Sequence, residues 1–494
     1  MYVVFGHDEP SRSLSSNRGS SEIAAGVVGA PDSPQMDPRF SPISRIPNRT
    51  LRNLRPTASH NSQPHHSTMP LIPPMPEGAT RKRNVLDVLE AKPKSVLIRV
   101  DFNVPMKDGV ITDDSRIVKA LPTIQTVWEA GCTVILVSHM GRPKLVQKGE
   151  DTDGKQRAEL SLKPVADHLS TKLGKEVVFG GDCMEAKSLI EGLPAGSVCL
   201  LENLRFYKEE EKNGEDFART LASYADAYVN DAFGTCHRAH ASVSGVPALL
   251  DPKLTGIGAL VASELAYLDF SGTTEADKIA AIIGGSKVST KLPVIKGLLK
   301  NVQVLVLGGG LAFTFLKAQG VAIGDSLVED GMIDTAKELL AEAEASGTVI
   351  VLPVDSVASQ KFPSAPMDKK DTKTFNMTPG AGIEDGWMGL DAGPESVKAI
   401  AEGLKGCSKV IMNGPLGVFE VAPFDEGTIG LVDILETITK EGTITVVGGG
   451  DSVAALEQFG KTEAVSYVST GGGATLELLA GDILPGVAAI PDYE

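Results

Sequence analysis

At 494 residues the chain is longer than a single hydrophobic core organises, so two domains are expected. Hydrophobic residues make up 42% and aromatics only 5%, which describes a core of Val, Leu, Ile and Ala; the formal charge of −16 argues against nucleic acid or an acidic membrane surface as a main partner. The cysteines Cys132, Cys183, Cys199, Cys236 and Cys407 show no C-x-x-C spacing, which argues against structural zinc and for a reducing compartment, and no apolar run approaches the ~20 residues of a membrane helix.

Residues 1–84 differ in kind from the rest. Of the 30 prolines, 12 fall in the first 80 residues, Ser is frequent and no amphipathic period persists, so this part reads as a disordered extension. Its arginines, among them Arg12, Arg18 and Arg39, resemble those of an organellar transit peptide, but Asp8, Glu9, Glu22, Asp32 and Asp37 oppose that reading. The cytosol is the expected compartment, with a plastid or mitochondrion as the alternative if the extension is cleaved on import.

From residue 85 strands alternate with helices in the order that builds a parallel sheet. Strands are predicted at 95–100, 133–138, 176–179, 198–201 and 227–230, with a helix carrying Ile117, Leu121, Ile124 and Trp128, and the first domain spans 85–255. Residues 256–273 form a helical hinge flanked by Gly256, Gly258 and Gly272, and a second strand–helix series fills 274–473. The tail 474–494 is expected to pack back on the first domain. The fold class is therefore α/β, with two doubly wound, Rossmann-like parallel-sheet domains joined by a helical hinge.

In the second domain four strands run into glycine turns and then helices. They lead into Gly284-Gly285-Ser286-Lys287, Gly308-Gly309-Gly310, Gly448-Gly449-Gly450-Asp451-Ser452 and Gly471-Gly472-Gly473. Such turns let the backbone approach a phosphate at a helix start. Asp451 would repel that phosphate directly, so Mg²⁺ between them reconciles the two, with Asp451 and Ser452 expected at the helix N-cap. Lys287 and Lys291 at another helix start fit the same anion. No G-x-G-x-x-G follows a strand, and Ala455 breaks a Walker A match at Gly460-Lys461-Thr462, so dinucleotide and P-loop versions are disfavoured.

In the first domain the residues after strand ends are polar: Asp101-Phe102-Asn103, His139-Met140-Gly141-Arg142, Glu202-Asn203-Leu204-Arg205, and the run from Asp231 to His240. Arg116, His139, Arg142, Arg205 and Arg238 should converge on one crevice at the carboxyl edge of the sheet, where a polyanionic small molecule would offset their repulsion. Cys236, His237 and His240 lack an adjacent acid, so neither Cys–His chemistry nor zinc is favoured.

These segments, together with Trp387-Met388-Gly389-Leu390-Asp391 and Asn413-Gly414-Pro415-Leu416-Gly417-Val418-Phe419-Glu420, resemble phosphoglycerate kinases in order from about residue 84 to the C-terminus. The resemblance implies reversible transfer of the 1-phosphoryl group of 1,3-bisphosphoglycerate to Mg-ADP, giving 3-phosphoglycerate and ATP. It implies that Asp101, Phe102, Asn103, Arg116, His139, Met140, Gly141, Arg142, Arg205 and Arg238 surround the glycerate ligand. Gly285, Lys287, Lys291, Gly309, Gly389, Asn413, Glu420, Gly449, Gly450, Asp451 and Ser452 would surround the nucleotide, with Glu420 on the ribose and Asp451 on Mg²⁺. Arg116, Lys287, Lys291 and the N–H groups near Gly472 would serve the transferring phosphoryl. Ser452 stands where many members have Thr, which keeps the hydroxyl. The family also implies a monomer with no nucleic-acid or membrane partner. A dehydrogenase and a catalytically silent scaffold are the alternative classes, the first opposed by the missing dinucleotide fingerprint, the second by the full set of anion ligands.

Overall fold

Two six-stranded parallel sheets carry the chain in a computed structural model that describes residues 71–73, 81–270 and 277–493. Most of the expected extension, and Gly272 within the hinge, lie outside the described residues. The first sheet contains β1 Ser95–Val100, β2 Thr133–Val137, β3 Val177–Phe179, β4 Val198–Leu200, β5 Ala227–Asp231 and β6 Thr255–Ile257, in the order β3-β4-β2-β1-β5-β6. The second contains β7 Ile279–Ile283, β8 Val304–Leu307, β9 Val349–Val351, β10 Lys409–Asn413, β11 Ile444–Gly448 and β12 Tyr467–Val468, in the order β9-β8-β7-β10-β11-β12. The doubly wound α/β expectation therefore holds. The first sheet reaches Ile257, a few residues beyond the expected end of its domain, because β6 pairs with β5 through Thr255, Gly256 and Ile257. Counted from its own first strand, the second sheet has the order 3-2-1-4-5-6 of dinucleotide-binding sheets, although it carries no dinucleotide fingerprint.

These strands are largely apolar, with few polar residues such as Arg99 and Asn230 inside them, because helices cover both faces. In β1, Leu97 enters one core while Val96, Ile98 and Val100 enter another; in β7, Ile279, Ala281 and Ile283 part in the same way from Ala280 and Ile282. The core containing Leu97 and Ala281 is shared, and Val261, Leu265 and Leu268 of the connecting helix join its two halves.

Six helices carry or flank the site residues: α1 Ser115–Glu129, α2 Ala259–Leu268, α3 Val288–Leu298, α4 Gly310–Ala318, α5 Gly450–Gln458 and α6 Gly473–Ala480. The connection α2 starts where it does because Asp231, at the end of β5, accepts the N–H groups of Leu260 at 2.9 Å and Val261 at 3.3 Å. One turn on, buried Glu264 accepts from the N–H of Thr470 at 2.8 Å and its hydroxyl at 3.0 Å, which fastens the returning chain to the connection. Helix α6 lies so close to α3 that a Cβ on Gly297 would stand 2.4 Å from the Ala480 carbonyl oxygen. The tail then reaches the first domain, where Gly486 donates to the Cys236 carbonyl at 2.8 Å and Asp492 pairs with Lys82 at 2.7 Å.

Two local expectations change. Helix α5 begins at Gly450 with Gly449 (φ 92°) as its cap, so Asp451 and Ser452 sit in the first turn and not at the N-cap. Residues 81–84 are part of the fold: Asn84 caps the helix Val85–Glu90 by accepting from Leu86 N–H at 2.9 Å, and Asp87 returns the bond to Asn84 N–H at 2.8 Å. A small antiparallel sheet of Asp355–Ser359, Lys373–Asn376 and Met388–Ala392 is inserted between β9 and β10.

Candidate active site

Both crevices open where strand order reverses, between β1 and β5 in one sheet and between β7 and β10 in the other. At the first, a cavity of about 300 Å³ brings together Asp101, Asn103, Arg116, His139, Gly141, Arg142, Arg205 and Arg238, with Glu211, Thr235 and His237. Residues 470–473, the turn leading into α6, form another part of its wall, so Gly472 faces this crevice and not that of the second sheet. Phe102 and Met140 do not line it. They are buried beneath, where the Phe102 N–H donates to Ser138 Oγ at 2.9 Å and the Met140 N–H to Asn203 Oδ1 at 3.0 Å, bonds that hold the lining residues beside them.

The crevice is short of negative charge. Arg116 pairs with Asp101 at 2.9 Å, and Arg205 lies 3.6 Å from Glu211 while donating to the Gly141 carbonyl at 2.9 Å. Arg142 and Arg238 have no carboxylate partner among the described residues; Arg238 Nε instead donates to His237 Nε2 at 3.0 Å. Four arginines against two carboxylates make an anion trap, and the guanidinium forks suit phosphate or carboxylate oxygens. Burial, and then the nearby Arg99, Arg205 and Arg116, hold the His139 pKa well below the usual imidazole value. Cys236 is no nucleophile, since burial pushes its thiol up to about 12. His240 does have an acidic neighbour, with Glu210 3.9 Å from its Nδ1; that carboxylate arrives from thirty residues upstream, which spacing could not reveal. No metal-binding group of three His, Cys, Asp or Glu residues exists among the described residues.

The second crevice, about 510 Å³, is lined by Gly285, Gly309, Gly389, Glu420 and Asp451 of the expected nucleotide residues. Gly309 has φ 65°, and a Cβ there would stand 2.8 Å from the Gly285 carbonyl oxygen, so two glycine turns pack where no side chain fits. Lys287, Lys291, Asn413, Gly449, Gly450 and Ser452 are not part of its wall. Lys287 is exposed at the start of α3, while Lys291 donates to Asn413 Oδ1 at 2.6 Å and has its pKa lowered by burial. Ser452 Oγ accepts from Gly414 N–H at 2.6 Å, fixing the turn after β10. Much of the wall is apolar, from Phe313, Leu327, Pro353, Phe362, Leu390, Val418 and Phe419, a lining suited to a base. Sequence reasoning missed this set because its members come from a helix (Phe313), a strand (Leu390) and separate loops with no common period; Phe313 and Phe419 stand in or beside glycine motifs that gave no sign of a shared wall.

Asp451 fits a Mg²⁺ ligand. It is exposed, lines the crevice and makes no hydrogen bond or ion pair among the described residues. A lone carboxylate suits an ion that takes its other oxygens from phosphates and water.

The model of one family, phosphoglycerate kinase, matches residues 86–482. Phosphoglycerate kinase 1, chloroplastic, of Arabidopsis thaliana is 48% identical over 416 residues, covering 83% of this chain and 82% of that protein. Phosphoglycerate kinase 3, cytosolic, of the same plant is 48% identical over 416 residues, covering 83% of this chain and 99% of that one. The solved phosphoglycerate kinase of Coxiella burnetii superposes with a TM-score of 0.71 at 39% identity, covering 80% of this chain and 96% of its own. The order of motifs, the two switch-point crevices and these likenesses converge: the chain belongs to the phosphoglycerate kinase family.

Proposed function

We infer that the two crevices hold the two halves of one reaction, the arginine-rich cavity taking the phosphoglycerate and the apolar slot the nucleotide. The reaction is reversible phosphoryl transfer from 1,3-bisphosphoglycerate to ADP, giving 3-phosphoglycerate and ATP, as in glycolysis and carbon fixation. The observation that carries the division of labour is the excess of arginine over carboxylate in one crevice against glycine turns, an apolar slot and free Asp451 in the other. Asp101, Asn103, His139, Gly141, Arg142, Arg205 and Arg238 bind the acid, and Phe102 and Met140 position them. Glu420 takes the ribose, Gly285, Gly309 and Gly389 admit the nucleotide, and Asn413, Gly449, Gly450 and Ser452 shape the turns beside it. Asp451 holds Mg²⁺, which when bound neutralises phosphate charge. In the ATP-forming direction an ADP oxygen attacks the acyl phosphorus and the carboxylate leaves, so negative charge shifts across the gap. Arg116, Lys287, Lys291 and the N–H groups at Gly472 stabilise that charge.

A coupled assay with ATP, Mg²⁺ and 3-phosphoglycerate tests the reading: turnover that vanishes with any one omitted supports it, and binding of both ligands without turnover would make the chain a scaffold. We take the protein to act as a monomer on these small molecules, without nucleic-acid or membrane partners. No helix among the described residues is long and apolar enough to cross a membrane. Relatives are chloroplastic as well as cytosolic. We place this chain in the cytosol, on the acidic residues near its start; a native N-terminus near residue 80, read by mass spectrometry, would place it in an organelle instead.

A further inference from the structure

Arg99 sits below the phosphoglycerate crevice without lining it, wholly buried at the end of β1. Its Nε donates to Ser242 Oγ at 2.8 Å, its Nη1 donates to the Val100 carbonyl, and its Nη2 lies 3.2 Å from His139 Nδ1. Its charge is balanced through a hydroxyl. Ser242 Oγ donates to Glu210 Oε1 at 2.6 Å and Ser242 N–H to Glu210 Oε2 at 2.9 Å, and that carboxylate too is fully buried. The result is a closed polar chain from Glu210 through Ser242 and Arg99 to His139.

The last link of that chain has only one polarity. A guanidinium has donors and no acceptor, so His139 Nδ1 must be the acceptor, and in a neutral ring the proton is then on Nε2. The competing partner is Asp101, whose Oδ1 would draw the proton to Nδ1, but it is 3.8 Å away, beyond hydrogen-bond range, and its other oxygen is engaged by Arg116 at 2.9 Å. Protonation of both nitrogens is opposed by burial and by the positive charges of Arg99, Arg205 and Arg116 around the ring. His139 forms part of the crevice wall.

We propose that Arg99 is a positioning residue for the acid substrate: it fixes His139 as the neutral Nε2–H tautomer, so that the imidazole offers the bound anion's oxygen an uncharged hydrogen-bond donor. Nothing in this requires Arg99 to touch substrate. The arrangement gives the cavity a directional donor whose charge does not change near neutral pH, and it leaves the net charge of the trap to the arginines. The proposal rests on the assignment of this crevice to the phosphoglycerate, but the tautomer is read without any substrate, so the two can fail separately.

The test is imidazole nitrogen NMR on the full chain labelled at histidine, with the His139 signals assigned by their loss in His139→Gln. The expected result from pH 6 to 8 is a protonated Nε2 and an unprotonated Nδ1; a protonated Nδ1, or an imidazolium, overturns the proposal. Arg99→Met should mix the tautomers and raise KM for 3-phosphoglycerate by roughly tenfold, leaving KM for ATP unchanged and kcat within about threefold. Arg99→Lys, which keeps a donor, should restore the single tautomer and most of the affinity. In the double variant Arg99→Met/His139→Gln, KM should be no worse than in His139→Gln alone, because Arg99 acts through the ring. A folded Arg99→Met that keeps both tautomer and KM overturns the proposal, as do additive effects in the double variant. If Arg99→Met fails to fold, the spectra of the unaltered protein and of Arg99→Lys still decide.

Discussion

Arg116 stands between two duties, because the carboxylate that orients it 2.9 Å away, Asp101, is also a wall of the cavity an anion must enter. A guanidinium that meets the transferring phosphoryl contributes mainly in the transition state. Arg116→Ala should therefore lower kcat on the order of 10³-fold or more while changing the Kd for 3-phosphoglycerate by less than about tenfold. Single-turnover kinetics beside calorimetry separates the two; a normal kcat with a raised Kd would move Arg116 to ground-state binding. Asp451 should behave in the opposite way. Asp451→Asn removes the free carboxylate of the nucleotide crevice, so calorimetry should show weakened Mg-ATP binding and unchanged 3-phosphoglycerate affinity, and equal loss of both would contradict separate sites. Most of the charged residues of the site were legible from sequence because they follow strand ends, and topology gathers strand ends at one edge; Arg116 instead opens α1, and Glu211, which ends the short helix Lys208–Glu211, was not foreseen. Arg99 was not legible as a functional group: it lies within a strand, and only the fold shows its guanidinium reaching His139. Nor was the apolar slot, assembled from Phe313, Phe362 and Phe419 on three separate segments.

At the scale of elements, glycine turns and apolar runs gave nearly every strand of the two main sheets, since doubly buried strands have no polar alternation to confuse them. What the sequence concealed were ties between distant elements. Asp231 is one: it caps α2, and burial raises its pKa to about 6 from the ordinary 3.8. The folded protein then keeps a proton that the unfolded chain releases above pH ~4, so this carboxyl favours folding below that pH, and the contribution is lost as pH rises through 6. A gap of about two units amounts to about 3 kcal/mol. Asp231→Asn keeps a capping oxygen and cannot ionise, so urea unfolding from pH 4 to 7 should lose about 3 kcal/mol less than in the parent protein. Parallel pH profiles would show that Asp231 does not titrate there. The start of the folded chain is a second tie. The Pro/Ser-rich segment has no periodic apolar face, but Leu71 and Ile72 near its end pack half-buried against the cores, so it is deleting residues 1–70, which spares them, that should leave kcat and Tm close to those of the full chain. Deleting residues 1–90 also removes the Asn84 cap and the fully buried Val85 and Val88, at a cost of order 4 kcal/mol. Equal melting temperatures for the two truncations would show that the helix Val85–Glu90 adds nothing.

For the molecule as a whole, the proposed assignment puts the phosphoryl donor and acceptor on different sheets, and transfer needs their oxygens in line at near-attack distance with water kept out. The parts that join the halves are few and identifiable. Helix α2 carries Val261, Leu265 and Leu268 of the shared core, and its Glu264 holds Thr470, the first residue of the turn that lines the phosphoglycerate crevice. Nearby, Lys119 of α1, the helix that bears Arg116, donates to the Val468 carbonyl of β12 at 2.6 Å, and Tyr267 of α2 stacks on Tyr467 with ring centroids 4.4 Å apart. Rotation of one sheet against the other should therefore be taken up at the ends of α2 and in residues 470–473, since terminal positions of elements absorb such torsion changes. In the proposed assignment the nucleotide meets the second half alone and the phosphoglycerate meets the first half with only the 470–473 turn from the other, so neither by itself should favour closure as strongly as the pair that bridges both faces. Small-angle scattering should therefore give nearly the same radius of gyration for the free protein and for either singly liganded form, and a smaller one with 3-phosphoglycerate and a non-hydrolysable Mg-nucleotide together. A ternary complex no more compact than the free protein would falsify closure, and full compaction with one ligand would mean that one crevice alone suffices to drive it.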